Sequence, residues 1–432
     1  MRITSIISEY NPFHEGHKYH MENAKKITNS DYTIVIMSGN FTQRGTPAII
    51  NKYARTKQAL FNGADLVLEL PVCFATASAE GFAFGAVSIL EKLGVVDFLV
   101  FGSECGDINS LKNMADFLAN ETPEYKKCLQ IYLKQGLSFP KARTNALHEV
   151  LPNTDKALLS SSNNILGIEY CRALKYFNSS IQPMTITRKD NLYNDSELAE
   201  TGKLSSATAI RKTLLDTYFK SASCTQNNFY QHSSPENSVT FQTLTSHMPK
   251  NSLDILREHW GTSAPVTSND FSLLLKYKLL LETRESLIQY LDITSDLADR
   301  IYNNLNFYTD FDSFCDLLKT KELTYTRIAR SLIHVLLDIK KDTYEHMKDA
   351  GYGQYARILG FRKEASSLLH EIKQHTSIPL ISKLSDSAKD LDDIALSMLE
   401  KDIQAAHIYE NVVANKFGQN FRNEFQRRLV IV

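Results

Sequence analysis

The sequence carries almost no net charge, a formal −1 from 48 basic and 49 acidic residues over 432 positions. A chain-wide field that attracts nucleic acid is thereby excluded, and any such contact must come from local basic patches. No stretch reaches the ~18 consecutive apolar residues of a membrane helix. The chain enters an apolar, strand-like run at Ile3 with no basic, apolar, small-residue leader, so the expectation is a cytoplasmic protein that meets no membrane. Six cysteines (Cys73, Cys105, Cys128, Cys171, Cys224 and Cys315) are scattered without a Cys-x-x-Cys pair. Most lie in apolar or helical surroundings, which argues for reduced, buried thiols. Walker A and Gly-x-Gly-x-x-Gly patterns are missing too, and so are internal repeats, which sets aside the common P-loop and dinucleotide schemes.

What is present is globular: 43% hydrophobic and 22% charged residues, in a chain long enough for two domains or three. Short apolar runs with strand character begin with Ile3, Ile6 and Ile7 and continue with Tyr32 to Met37, Asp65 to Leu70, Phe98 to Phe101 and Met184 to Arg188. Helical sequence fills the intervals: from near Gly16, from about Asn51 to Asn62, from Ser78 to Lys92, from Asp107 to Lys134 and from Ser160 to Tyr176. This alternation predicts a doubly wound α/β domain with a parallel sheet and a ligand crevice at the carboxyl ends of its strands. The polar stretch Ser221 to Thr240 marks a composition shift, which places an α/β domain at 1–230 and a mainly helical domain at 231–432.

The first strand runs straight into a helix start, and His14, Gly16 and His17 sit at that junction. Gly16 lets a ligand approach the backbone, and the unpaired N–H groups of a helix start favour an anion. Two neutral imidazoles three residues apart point the same way and suit the phosphates of a nucleotide, whose charge moves toward pyrophosphate when the α-phosphorus is attacked. Surface histidines beside a turn give the same three letters. A zinc site from His14, His17 and His20 lacks the His-Glu-x-x-His pattern and nearby cysteines, so no metal ligand set is expected. Gly102-Ser103-Glu104 follows the fourth strand and falls at the crevice. Ser162-Asn163-Asn164 either caps a helix or sets an amide against adenine or ribose. Ser206, Thr208 and Arg211 join a cap, a hydroxyl and a cation at a helix start, which serves a phosphate or an ordinary amphipathic helix equally.

With these residues in view the chain resembles the bacterial tRNA(Met) cytidine acetate ligases, a branch of the HxGH nucleotidyltransferases. The matching blocks are EYNPFHEGHKYH, MSGNFTQRGTPAI, KYARTKQAL, GADLVLELP, SAEGFAFGAVSIL, FGSE, SNNILGIEY and SATAIRK, with weaker matches at YTRIARSLIHVLL and YARILGF. The resemblance implies an enzyme that uses ATP to activate acetate as acetyl-adenylate. It then transfers the acetyl group to N4 of the wobble cytidine of elongator tRNA(Met). Carried over, ATP contacts fall on Ile7, Ser8, Glu9, Tyr10, Asn11, Pro12, Phe13, His14, Glu15, Gly16, His17, Lys18, Tyr19 and His20, and on Gly102, Asn163 and Arg188. His14 and His17 are the catalytic pair, with Mg²⁺ bridging the phosphates.

Between Lys319 and Glu364 there are ten Lys/Arg against six Asp/Glu, with tyrosines interleaved, a mixture that suits an RNA backbone or a solvated helical face. Arg327, Arg330, Arg357 and Arg362 are the candidate tRNA contacts, on helices that turn apolar faces inward and basic faces, His334 included, outward. Two rivals share some of these features: an adenylyltransferase for a small phosphorylated metabolite, and an RNA-binding protein with a degenerate nucleotide site.

Overall fold

The computed structural model describes the whole chain except 153–154, 189–196, 201–202, 224–238 and 388. The core of the polar stretch read as a linker lies outside the described residues, as does Cys224. Among the described residues, five strands come from the first half: β1 Ile3–Ser8, β2 Tyr32–Ser38, β3 Leu66–Leu70, β4 Phe98–Ser103 and β5 Gln182–Thr187. They pair in parallel in the order β5-β4-β1-β2-β3, the doubly wound arrangement expected.

Alternate side chains of these strands enter two separate cores. Ile34, Ile36, Leu66 and Leu68 pack on one face, and Val35, Met37 and Val67 on the other. A sheet covered on both faces explains why its strands read as continuous apolar runs. Helices α1 Glu15–Thr28 and α2 Lys52–Phe61 cover the second face through Met21, Ala24, Ala59 and Leu60. Helices α3 Ala79–Leu93 and α4 Ser162–Tyr176 cover the first. Helix α5 Ala207–Ser223 follows β5. The small residues of α3 do permit close packing: a Cβ on Gly85 would stand 2.5 Å from the side chain of Phe74.

The second half is mostly helical, with α6 Tyr325–Leu336 and α7 Asp393–Phe417 among its longer helices. Among the described residues it also supplies three strands, β6 Ala356–Phe361, β7 Leu380–Ile381 and β8 Val430–Ile431. β6 pairs antiparallel with β3, so the sheet continues across the division expected near residue 230. Among the described residues no helix is long and apolar enough to cross a membrane. Cys73, Cys128, Cys171 and Cys315 are buried free thiols, whereas Cys105 is exposed.

A buried ionic quartet joins the two halves. Lys52 Nζ lies 2.8 Å from Glu69 Oε1, Arg357 Nη1 3.0 Å from Glu69 Oε2, and Arg357 Nη2 2.8 Å from Glu424 Oε1. Lys52 also pairs with Glu424, and none of the four side chains is more than 5% exposed. Burial pushes the Glu424 carboxyl up, but the charges of Lys52 and Arg357 outweigh it and hold the group at about 2. Arg357 is therefore a structural cation in a central strand, not a tRNA contact on a basic helix.

Arg357→Ala leaves two buried carboxylates facing one ammonium. The expected loss is about 3–5 kcal/mol of folding stability, measured as a fall in the urea midpoint at neutral pH. A midpoint within error of the wild type would mean that the quartet is solvated or dispensable.

Candidate active site

β1 keeps register with β2 as far as Ser8↔Met37, but its pairs with β4 are Thr4↔Phe98 and Ser5↔Leu99. Beyond them β1 and β4 separate at the point where the sheet order reverses, the place where doubly wound sheets hold ligands. The gap opens into a cavity of about 240 Å³. Its walls are the carboxyl ends of β1, β4 and β5, the starts of α1, α4 and α5, and the loop after β2.

At the start of α1 two histidines cap the helix reciprocally. His14 occupies the N-cap in extended conformation, and its Nδ1 accepts the N–H of Gly16 at 3.0 Å. His17 Nδ1 accepts the N–H of His14 at 3.3 Å. The rings pack against each other with centroids 3.8 Å apart and planes inclined by 31°. A ring nitrogen that accepts carries no proton, so each neutral imidazole bears its hydrogen on Nε2. Burial, followed by the charges of Arg188 and Arg211, pushes His14 down to about 3. Burial and Arg188 take His20 to about 4, and burial, His14 and the same arginines hold His17 well below its ordinary value. The site thus presents two Nε2–H donors that remain neutral under ordinary conditions. Gly16 is required for this: a Cβ there would stand 2.8 Å from Cε1 of His14. Tyr10 adopts φ 47°, and its ring packs at 4.8 Å from Phe13 and 4.9 Å from His17, seating the second imidazole from below.

The start of α5 faces the same cavity. Ser206 Oγ accepts the N–H of Ala209 at 3.0 Å, and Arg211 reaches back to the carbonyl of Asn11 at 2.7 Å and to Thr208 Oγ1 at 3.2 Å. Three helix starts and three arginines, Arg44, Arg188 and Arg211, surround one space, an arrangement that favours a polyanion.

Of the sequence candidates, Ile7, Ser8, Glu9, Asn11, His14, Gly16, His17, Tyr19, His20, Gly102, Asn163, Arg188, Ser206, Thr208 and Arg211 line this cavity. Tyr10 and Phe13 turn into the core beneath it, and Pro12, Glu15 and Lys18 are not among its lining residues. The alternation of a tight turn entering a helix sends neighbouring side chains to opposite sides, which a contiguous motif does not reveal. Arg362 donates its backbone N–H to Asp65, at the amino end of β3 and the sheet edge opposite the cavity. Arg330 is paired with Asp292 at 3.0 Å, and Arg327 is half-buried one turn earlier on α6. His334 is fully buried, its ring nitrogens 2.9 and 3.0 Å from the carbonyls of Leu291 and Thr76.

Several contributors escaped the sequence reading. Arg55, fully buried in α2, donates to the carbonyls of Glu9, Ser38 and Gly39 and so ties the ends of β1 and β2 together. Thr42, Gln43, Arg44 and Thr46 of the loop after β2 line the cavity. Glu9 Oε1 anchors that loop by accepting the N–H of Gln43 at 2.8 Å. His247 accepts the N–H of Glu15 through its carbonyl and meets Ser205 Oγ through Nδ1 at 2.9 Å, joining the starts of α1 and α5. No local pattern signals His247, because both partners are distant in sequence.

A family model described as HIGH Nucleotidyl Transferase matches residues 1–424. The chain belongs to that family. A tRNA(Met) cytidine acetate ligase of Acetivibrio thermocellus is 39% identical, with all of both chains covered. One from Fervidobacterium nodosum is 38% identical, covering 100% of this chain and 99% of its own. Among solved structures, Thermotoga maritima TmcAL bound with α-thio ATP superposes with a TM-score of 0.86 at 31% identity over the full length of both chains.

Gly16→Ala is expected to fold normally, since the added methyl meets only the His14 ring, yet to displace that ring and its donor. Loss of one such donor costs about 2.7–4 kcal/mol of transition-state stabilisation, or roughly 10²–10³ in rate. Acetate-dependent exchange of pyrophosphate into ATP, measured beside a thermal unfolding curve, separates the two effects. Wild-type exchange in this variant would show that the His14 position is unimportant.

Proposed function

We propose that the chain is an ATP-dependent ligase that activates acetate as acetyl-adenylate and passes the acetyl group to N4 of the wobble cytidine of elongator tRNA(Met). The observation that carries this reading is the pair of neutral Nε2–H donors, His14 and His17, facing the same cavity as the Ser206 helix end, Arg188 and Arg211. The likeness to the cytidine acetate ligases over the entire chain supplies the acyl group and the acceptor.

In the first step a carboxylate oxygen of acetate attacks the α-phosphorus and the bond to pyrophosphate breaks. The two imidazoles donate to phosphate oxygens whose charge rises, and Arg188 and Arg211 neutralise the leaving group. Because both donors are neutral and preset by the capping bonds, they need no reorganisation as charge develops. In the second step the cytidine amine attacks the acetyl carbonyl, AMP leaves, and the amine loses its proton. The base must be unstacked from the anticodon loop to reach the cavity, which costs little in a single strand.

Among the described residues no cluster of three or more His, Cys, Asp or Glu could hold a metal ion. Mg²⁺ would enter with the nucleotide, as MgATP, and would offset charge on the phosphates as pyrophosphate departs. Glu9 is the carboxylate among the lining residues, and its Oε1 already accepts from the loop after β2.

The tRNA approaches along the loop after β2 and the start of α6. Gly45 of that loop touches α6 so closely that a Cβ would stand 2.3 Å from the backbone nitrogen of Arg330. Arg327 lies one turn earlier on α6 and serves as the phosphate contact. The cytoplasm, where tRNA is modified, is the assigned location.

Mass spectrometry of nucleosides from tRNA(Met), incubated with the protein, ATP and acetate, is expected to show N4-acetylcytidine and to lose it when any one component is omitted. Adenylylation of a small phosphorylated metabolite without acetylcytidine would support the rival reading instead. Arg327→Ala is expected to leave acetate-dependent exchange intact and to lower the slope of log K against log salt for tRNA by about 0.7–0.9. An unaltered slope moves the RNA surface elsewhere.

A further inference from the structure

Three helix starts meet at the cavity, but they are not equivalent. The caps that α1 and α5 turn toward it, His14 and Ser206, are neutral. At α4 the N-cap residue Ser161 makes no side-chain cap bond. Its place is taken by Glu104, which follows β4. Glu104 Oε2 accepts the N–H of Asn164 at 2.9 Å, and Oε1 accepts Asn163 Nδ2 at 2.7 Å and lies 3.4 Å from the N–H of Asn163. Asn164 returns the bonds: its Oδ1 accepts the N–H of Glu104 at 2.9 Å and of Cys105 at 3.1 Å. Asn164 is 1% exposed, and Glu104 stands behind the lining residue Asn163 rather than in the cavity wall.

Two consequences follow from the chemistry of this clasp. A full negative charge already compensates the positive end of α4, so a phosphate gains nothing there and is repelled, whereas the caps of α1 and α5 carry no charge and the acidic first-turn residue of α1, Glu15, is not among the lining residues. The bond from Asn163 Nδ2 to Glu104 also fixes the amide, leaving Oδ1 as the acceptor on the cavity side.

We propose that Glu104 is a positioning residue that sets the direction of the nucleotide, closing α4 to phosphate and holding Asn163 to accept a hydrogen bond from the nucleoside. The donor is a ribose hydroxyl or the exocyclic amine of adenine. The triphosphate then lies toward His14, His17 and Arg211. This rests on the reading that the cavity holds ATP.

The test compares wild type, Glu104→Gln and Asn163→Ala in acetate-dependent pyrophosphate exchange, with inorganic tripolyphosphate as a competitor. Both variants are expected to raise KM for ATP at least tenfold, to change kcat and KM for acetate less than threefold, and to leave inhibition by tripolyphosphate as strong as in wild type or stronger. Assays with 2′-deoxy-ATP and with purine riboside triphosphate identify the donor: wild type discriminates against one of them and Asn163→Ala does not. Equal weakening of ATP and tripolyphosphate would reduce Glu104 to a general prop of the fold, and an unchanged KM for ATP would remove its role altogether. Either result overturns the proposal. Absence of exchange in the wild type would instead overturn the reading of the cavity as an ATP site.

Discussion

The reciprocal cap between His14 and His17 is the constraint from which the site's chemistry follows. A helix start needs acceptors for its first N–H groups, and here the acceptors are imidazole nitrogens instead of the hydroxyl or carboxylate that usually serve. Using Nδ1 in this way settles where each ring keeps its proton and where the remaining donor points. One local requirement of secondary structure thereby becomes a pair of prealigned donors. Burial, Arg188 and Arg211 keep the pair neutral.

The rest of the molecule holds that turn in place. Arg55 gathers the carbonyls at the ends of β1 and β2, and the aromatic ring of Tyr10 lies beneath His17. Tyr10 sits at positive φ, a conformation that costs about 1–3 kcal/mol in a bulky residue and persists only where its surroundings enforce it. His247 joins α1 to α5 from the second half of the chain, and the quartet of Lys52, Glu69, Arg357 and Glu424 fixes β6 and the C-terminal segment against β3. The second half is thus part of the frame of the candidate active site.

What the sequence revealed and what it hid divide along a physical line. β1 to β5 and the caps near Gly16 and Ser206 depend on runs of a few residues, and they stand close to where the apolar pattern places them. β6 was missed because Arg357 interrupts its apolar run and Arg362, Lys363 and Glu364 follow it, which reads as solvated surface when the partners are unknown. Lys52, Arg55 and His334 are buried for the same reason that Arg357 is: each meets acceptors contributed by distant segments. The clasp of Glu104 with Asn163 and Asn164 spans about sixty residues of sequence, so FGSE and SNN are legible as separate motifs but not as one device.

The tautomer of the two histidines is the most direct measure of the central claim. Long-range proton–nitrogen correlation spectra of protein labelled with ¹⁵N at histidine, with signals assigned through His14→Gln and His17→Gln, report the protonation of each ring nitrogen. Both rings are expected to show an unprotonated Nδ1 and a protonated Nε2 from pH 8 down to pH 5 in the nucleotide-free protein, since burial and the adjacent arginines hold His14 near 3. Protonated Nδ1 in either ring, or conversion to imidazolium near pH 6, would contradict the account.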